Sequence, residues 1–449
     1  MSHGTETESL HSKMLMDARR PEFSERNSEV RDQTSAIPHQ SASRAGASTI
    51  SDLRSTDCNV ALLTGGDDKP YVLGFVPALT SRGIPFDVIG SDDLHVPELL
   101  NNSRVNFLNL RGDQRPDANL AWKVARVLSY YWRLLSYATT ARAKVFHILW
   151  NNRFELLDRT LLMFYYKLMG KRIVLTAHNV NMRKRDGTDS WLNRSSLRIQ
   201  YQLSDHIFVH TSRMKEELVN EFGLTADKVS VIPFGINNTV PNTSLSSAEA
   251  KRQLGVNSSD KTILCYGQIA PYKGLEYLIA AFTELLKRDG SCRLIIAGKP
   301  KWNQDYWNQI EQLIIDNGVQ HRVIERIEHV PDEETELYFK AADVLVLSYT
   351  QVFQSGVIFL GYSFGLPAIV ADVGSLKEEI IEGESGFAFE PRNAADLANK
   401  IETYFKSELF HNLETRRAQI KEHANERYSW DRVAGITTAV YSNLLCSLR

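Results

Sequence analysis

Residues 262–274 read TILCYGQIAPYKG. An apolar run stops at Gly267, turns at Pro271 and reopens at Lys273-Gly274, in front of the periodic segment LEYLIAAFTELLK. A short, continuous apolar run closed by glycine is how a buried parallel strand ends in a loop, and the 3.6-residue periodicity after it is that of a helix. Working outward, the same unit repeats. Downstream come CRLIIAG, a helix over 304–317, RVIERI, a short helix ending near 342, DVLVLSY, a helix over 356–364, PAIVAD and GFAFEP, then helices to the end. Upstream, NVALLTGG (59–66), PFDVIG, RVNFLNL, KVFHILW, KRIVLTAHN, DHIFVHT and KVSVIPFG read as strands. Predicted helices separate most of them, including a long one over 119–141 and one over 154–169. Alternating strands and helices imply parallel pairing through right-handed crossovers, with helices on both sheet faces.

Two such series predict an α/β chain of two doubly wound, Rossmann-like domains with an interdomain cleft. Residues 1–55, rich in Ser, Thr, Arg, Glu and Gln, read as a disordered tail. The first domain is placed at 56–238. An Asn/Ser/Thr-dense connection follows at 239–260, the second domain at 261–427, and a C-terminal helix at 428–449 that crosses back to the first. Ligands of open α/β sheets bind beyond the carboxyl ends of the strands, so the cleft is the expected site.

The length of 449 residues exceeds what one core usually serves. A net charge of −2, with 43% apolar and 24% charged residues, gives no global reason to expect nucleic acid or an anionic membrane as the main partner. No apolar run reaches the length of a membrane span, and the polar first residues lack the apolar core of a secretory signal, so a cytoplasmic location is expected. Cys58, Cys265, Cys292 and Cys446 fall at no metal-ligand or CxxC spacing and read as reduced thiols.

In residues 266–274 the lysine stands at the carboxyl edge of the sheet beside the free donors of a helix start. Both attract a phosphate. A solvated lysine is the plain alternative, although a cation there opposes the helix dipole. In residues 347–372, Gln354-Ser355-Gly356 lies between a strand and a short apolar helix beginning before Val357. Ser355 can cap that helix and Gly356 lets an anion approach the backbone N–H groups. In the first half, His178-Asn179 ends a strand, and Gly65-Gly66 ends the first one, where a tight turn or a ligand contact would explain the glycines. Arg183, Lys184 and Arg185 suit either an anionic acceptor or, more simply, a solvated loop. The aromatic helix surface Tyr130, Tyr131, Trp132 and Tyr137, with Leu134 and Leu135, reads as core, with interfacial membrane contact as the alternative.

With these stretches on the page, the chain resembles the family 4 (group 1) retaining glycosyltransferases of GT-B architecture, from about residue 59 onward and most strongly over 232–391. The family's G-R-x-x-x-x-K-G element supplies an arginine and a lysine to the donor diphosphate. Here Gly267 and Lys273 match, and Gln268 replaces the arginine. The family's paired glutamates fall on Val352 and Leu360. The sequence instead resembles a subgroup with a tyrosine, Q-S-G-V, A-Y-x-x-G-x-P and V-G-x-L-x-E. Its matching residues are Tyr349, Gln354, Ser355, Gly356, Val357, Tyr362, Gly365, Pro367, Gly374 and Glu378.

The resemblance implies a hexosyl-type transfer from a UDP- or GDP-sugar to a saccharide or lipid-linked acceptor, with retention, in polysaccharide or glycoconjugate synthesis. Lys273 and the N–H groups near Ser355 and Gly356 would hold the diphosphate. Glu378 would contact the donor, and His178 would stand at the anomeric carbon. The sugar nucleotide is a substrate, and no further cofactor is implied. No Asp-x-Asp occurs, so no divalent metal is expected. The other readings are a GT-B-type sugar-nucleotide isomerase, which needs no acceptor cleft, and a non-catalytic sugar-nucleotide-binding protein, which suits Gln268, Val352 and Leu360.

Overall fold

The computed structural model describes residues 59–65, 69–115, 118–301 and 304–447. The tail expected over 1–55, Cys58 and Gly66 lie outside the described residues. The first sheet holds β1 (Val60–Leu63), β2 (Phe86–Gly90), β3 (Val105–Asn109), β4 (Val145–Ile148), β5 (Arg172–Thr176), β6 (His206–Val209) and β7 (Val229–Val231). The second holds β8 (Lys261–Tyr266), β9 (Cys292–Ala297), β10 (Val323–Arg326), β11 (Val344–Leu347), β12 (Ala368–Ala371) and β13 (Gly386–Phe389). Their orders are β3-β2-β1-β4-β5-β6-β7 and β10-β9-β8-β11-β12-β13. Every pairing is parallel, as in Val60 opposite Phe86 and Val145. This is the expected pair of doubly wound sheets. In each, strand order reverses beside the first strand, at β1/β4 and β8/β11.

Alternation along the strands fills both faces. Ala61, Leu63, Phe146 and Ile148 pack with the helices Leu120–Thr140 and Trp191–Leu203. Val60, Leu62 and Val145 face the other way, onto the helix Lys69–Ser81 and the helix Trp430–Cys446. The second of these comes from the far end of the chain. Its Tyr441 is fully buried and hydrogen-bonds to Nδ1 of His147, whose Nε2 meets the Thr176 hydroxyl at 2.7 Å. Trp430 donates its indole N–H to the Ile236 carbonyl at 2.9 Å.

Residues 239–260 do not hang free between the lobes. The helix Ser247–Gln253 opens on a capping box from Ser246 and Glu249, and its Ala250 is part of the second core. Its Lys251 is buried and bonds both carboxylate oxygens of Asp343, at 2.8 and 3.1 Å, and the Asp260 carbonyl at 2.8 Å. Asp343 also accepts from the Thr262 N–H at 2.7 Å, so this buried pair is satisfied on both sides.

Candidate active site

At the end of β8, Gly267 takes φ +95°, and a side chain placed on it would meet Nζ of Lys273 at 3.2 Å and Val357 at 3.3 Å. The stretch 271–273 is a single 3-10 turn, and Gly274 in a left-handed conformation opens the helix Leu275–Arg288. Lys273 is only 4% exposed. Its ammonium donates to the Tyr266 carbonyl at 3.1 Å and to the Tyr349 hydroxyl at 2.7 Å. That hydroxyl lies 3.0 Å from Oγ of Ser355, which caps the helix Gly356–Ser363 by accepting from the Val357 N–H at 3.3 Å. Lys273, Ser355 and Val357 are therefore joined by one hydrogen-bonded chain through Tyr349. Burial pushes the Lys273 ammonium below its ordinary range and the Tyr349 phenol above its own.

Gln354 donates to Glu379 at 3.0 Å, while its Oε1 is buried with no hydrogen-bond partner. Tyr428 donates to the other Glu379 oxygen, and burial pushes that carboxyl up. Glu378, the acid singled out from the sequence, is turned outward. It is exposed and 3.8 Å from Arg213 of the N-terminal lobe, because the 3-10 turn Leu376–Glu379 points its successor inward instead.

In the N-terminal lobe His178 follows β5. Its ring stacks on Trp150, with centroids 4.0 Å apart and planes within 7°, and meets Tyr71 edge-on at 4.8 Å. Nδ1 lies 2.9 Å from Nε2 of His210, whose Nδ1 is 3.4 Å from the Ile232 carbonyl. Nε2 of His178 is buried without a hydrogen-bond partner. Burial, then His210 and His147, push its pKa well below the usual imidazole range, so the ring is neutral. A cavity of about 290 Å³ lies beside it, lined by the amides of Asn151, Asn152, Asn181, Asn193 and Gln200 and by Arg159. Gly65 serves a turn: at φ +64°, any side chain would strike the Trp150 carbonyl oxygen at 2.5 Å.

Phe234 joins the halves. Its centroid is 6.1 Å from that of His178, it stacks on Phe359 at 5.3 Å, and a side chain on Gly356 would touch its ring at 3.5 Å. Around it Tyr71, Gly356, Val357, Leu360 and Trp430 line a mostly apolar cleft of about 220 Å³. A second cavity of about 430 Å³ is lined by Gly267, the exposed Gln268, Lys299, His329 and Asp332. Leu360 borders both, and with Val352 it stands buried at the two positions where the sequence comparison expected glutamates.

The basic stretch after His178 is a helical turn, Met182–Arg185, on which Arg183 and Lys184 are exposed and Arg185 is not. Arg183 pairs with Glu155 at 3.1 Å and Lys184 with Glu221 at 2.7 Å. Arg185 lies 4.2 Å over the ring of Tyr272, beside Lys273, and Asp186 pairs with Lys301 at 2.8 Å. The first lobe thus grips the loop that carries Lys273. Phe234, Trp150 and the Tyr272 grip went unread in the sequence; the PFG stretch after β7 was the one local hint of the first.

Two family models account for this arrangement, lobe by lobe. Residues 70–239 match the one described as Glycosyltransferase Family 4, and residues 246–427 the one described as Glycosyl transferases group 1. The chain belongs to the group 1 glycosyltransferases. Among relatives of this glycosyltransferase, an uncharacterized glycosyltransferase of Methanocaldococcus jannaschii is 32% identical over 243 residues, covering 53% of this chain and 60% of its own. A D-inositol 3-phosphate glycosyltransferase of Corynebacterium efficiens is 29% identical over 248 residues, covering 53% and 56%. The matched region spans somewhat more than half the length of these curated relatives. Among solved structures, Anabaena HepE in complex with UDP and glucose superposes with a TM-score of 0.65 at 17% identity, over 86% of this glycosyltransferase and 99% of that chain. At that identity the likeness concerns the fold.

Proposed function

We propose that the chain transfers a hexosyl-type sugar from a nucleoside diphosphate sugar to a saccharide or lipid-linked hydroxyl, with retention of configuration, in polysaccharide or glycoconjugate synthesis. The observation that carries this reading is the chain Lys273–Tyr349–Ser355–Val357, which gathers an ammonium and a capped helix start behind a glycine. In the transition state negative charge grows on the departing diphosphate. Lys273 has three N–H donors, and two of them are already committed, which orients the third. With the backbone N–H of Gly356 it would stabilise the charge where it develops, with little reorganisation. Gly267 would let the phosphates pass close to the ammonium, and Gln268 would line their approach. Gln354 offers its unpartnered Oε1. His178, neutral and with Nε2 unpaired, would bond a sugar hydroxyl near the anomeric carbon. The amide-lined cavity beside it suits a hydroxyl-rich acceptor, a room the isomerase reading does not need.

HepE was solved with UDP and glucose, which makes UDP the first nucleotide to try. The test measures melting temperature with UDP and GDP, then donor hydrolysis and transfer with UDP- and GDP-sugars, for the native protein and Lys273→Met. A ligand that binds only the folded state at 100 times its Kd adds about 2.7 kcal/mol of stability. The native protein is expected to show that shift and the variant to lose most of it. An equal shift in both sinks the proposal. The buried, apolar Val352 and Leu360 favour one second reading, a sugar-nucleotide-binding protein without turnover; binding with no hydrolysis or transfer would select it.

A further inference from the structure

Three neighbouring helical segments of the N-terminal lobe, over 120–140, 155–168 and 191–203, carry buried apolar residues inside and large exposed ones outside, the third only at its start, where Trp191 and Leu192 precede the exposed Arg194 and Arg198. Their inner faces fill the core through residues such as Leu134, Met163, Tyr166 and Leu197. Their outer faces expose Leu120 (77%), Leu128 (66%), Trp132 (73%), Leu161 (67%), Leu168 (78%) and Trp191 (80%). On the helix Leu120–Thr140 the exposed Leu120, Val124, Leu128 and Trp132 recur every fourth residue, so they form a stripe rather than a scatter. The helices are side by side. Tyr165 donates to the Leu135 carbonyl at 3.2 Å, and Arg159 donates to Asn193 at 2.9 Å. The aromatic surface read from the sequence as core is therefore divided: Tyr130 and Leu134 are buried, and Trp132 faces out. Single exposed apolar residues mean little, but a continuous apolar face does.

Charge decides what covers it. From residue 118 to residue 154 the chain carries Lys123, Arg126, Arg133, Arg142, Lys144 and Arg153 and no acid, in a protein of net charge −2. The helix Trp191–Leu203 also lacks acids. A two-fold contact between copies would set these cations against themselves. No helix among the described residues is long and apolar enough to cross a membrane. We propose that this face seats the protein peripherally on a bilayer bearing anionic headgroups. Trp132, Trp191 and the leucines enter the boundary between headgroups and acyl chains, and the cations meet the lipid phosphates. Glu155, which lines the amide cavity, stands between exposed Phe154 and Leu156, so that cavity opens at the edge of the seated face. A lipid-borne acceptor would reach it without leaving the surface. The docking itself needs no nucleotide and stands apart from the transferase reading.

The test is co-sedimentation of the full chain with vesicles of phosphatidylcholine alone and of phosphatidylcholine with phosphatidylglycerol. Binding is expected to the anionic vesicles, weaker at high salt. The double variant Leu128→Glu/Trp132→Glu should bind about tenfold less with its melting temperature unchanged, because both positions are exposed. Arg133→Glu/Arg153→Glu should lose the preference for phosphatidylglycerol. Ile315→Glu, an equally apolar-to-charged change at an exposed site of the other lobe, should bind as the native protein does. Native protein that stays in the supernatant with both vesicles overturns the proposal, as does a double variant that binds normally. A native dimer that the double variant splits into monomers would also overturn it, in favour of self-association.

Discussion

At the scale of single residues, Tyr349 is the member of the site whose removal is most informative. Its hydroxyl is 2.7 Å from the Lys273 ammonium and 3.0 Å from Ser355. Tyr349→Phe keeps the ring, which lies 4.7 Å from the ammonium, and deletes only the shared oxygen. A buried charge that loses one of its partners costs about 1–3 kcal/mol, so denaturant unfolding should show a loss of that size. UDP, supplying oxygen atoms in its place, should then raise the melting temperature of the variant more than that of the native protein. A smaller rise would mean that Lys273 does not face the nucleotide. Lys273 was legible because a cation at a helix start opposes the dipole and asks for a reason. Its occlusion was not legible, since a strand-end glycine does not reveal which side chain will lie behind it. For Glu378 the motif was legible and the exposed placement was not, for a related reason. In a 3-10 turn adjacent acids point to different sides, and the turn, not the motif, chose Glu379 for the interior.

At the scale of elements, strand positions followed from apolar runs because a parallel sheet buried on both faces leaves no polar register to confuse them. The helix Ser247–Gln253 was harder to place. Its surroundings are rich in Asn and Ser, and nothing local announces that Lys251 would be buried against Asp343, an ion pair with 7% and 8% of its two side chains exposed. Replacing Lys251 with Met leaves Asp343 desolvated and unpaired apart from the Thr262 N–H. Breaking such a pair costs about 3–5 kcal/mol, measurable as a lower urea midpoint. A loss under about 1 kcal/mol would show that water reaches Asp343 readily. Of the outward stripe on Leu120–Thr140 the sequence singled out Trp132 alone, in a surface read as core with interfacial contact as the alternative. Its Tyr130 and Leu134 pattern is that of any core-facing helix, and a helix apolar on both sides does not say which side the sheet will take.

At the scale of the whole molecule, the lobes meet at a polar grip and an aromatic one. Arg185 over Tyr272 and Asp186 with Lys301 form the first, and a cation–π contact of this kind is worth about 0.5–2 kcal/mol. Arg185→Ala should raise the radius of gyration in solution scattering and weaken donor affinity. Arg183→Ala should do neither, because its partner Glu155 belongs to the same lobe. Acid should loosen the first lobe in particular. Burial holds His147 down to about 3 and His206 and His210 to about 4, against an unfolded value of 6.5. Between those limits the unfolded chain binds more protons than the native one, so stability is full above pH 6.5 and falls as pH drops towards 4, at about 1.4 kcal/mol per pKa unit for each group. Melting temperature should fall steadily from pH 7 to pH 4.5, and His147→Gln should flatten that slope. Such long-range partners are invisible to local pattern, since His147 and Tyr441 stand 294 residues apart in the sequence.

That same placement of the helix Trp430–Cys446 has a consequence for how the molecule comes into being. The first sheet leaves the ribosome early, yet one of its faces stays only partly covered until the helix Trp430–Cys446 is made. At ~5–20 residues per second that interval lasts on the order of tens of seconds. For that time an unfinished hydrophobic surface faces the crowded cell. A nascent chain halted before Trp430 should accordingly hold chaperones that release it once the final segment emerges.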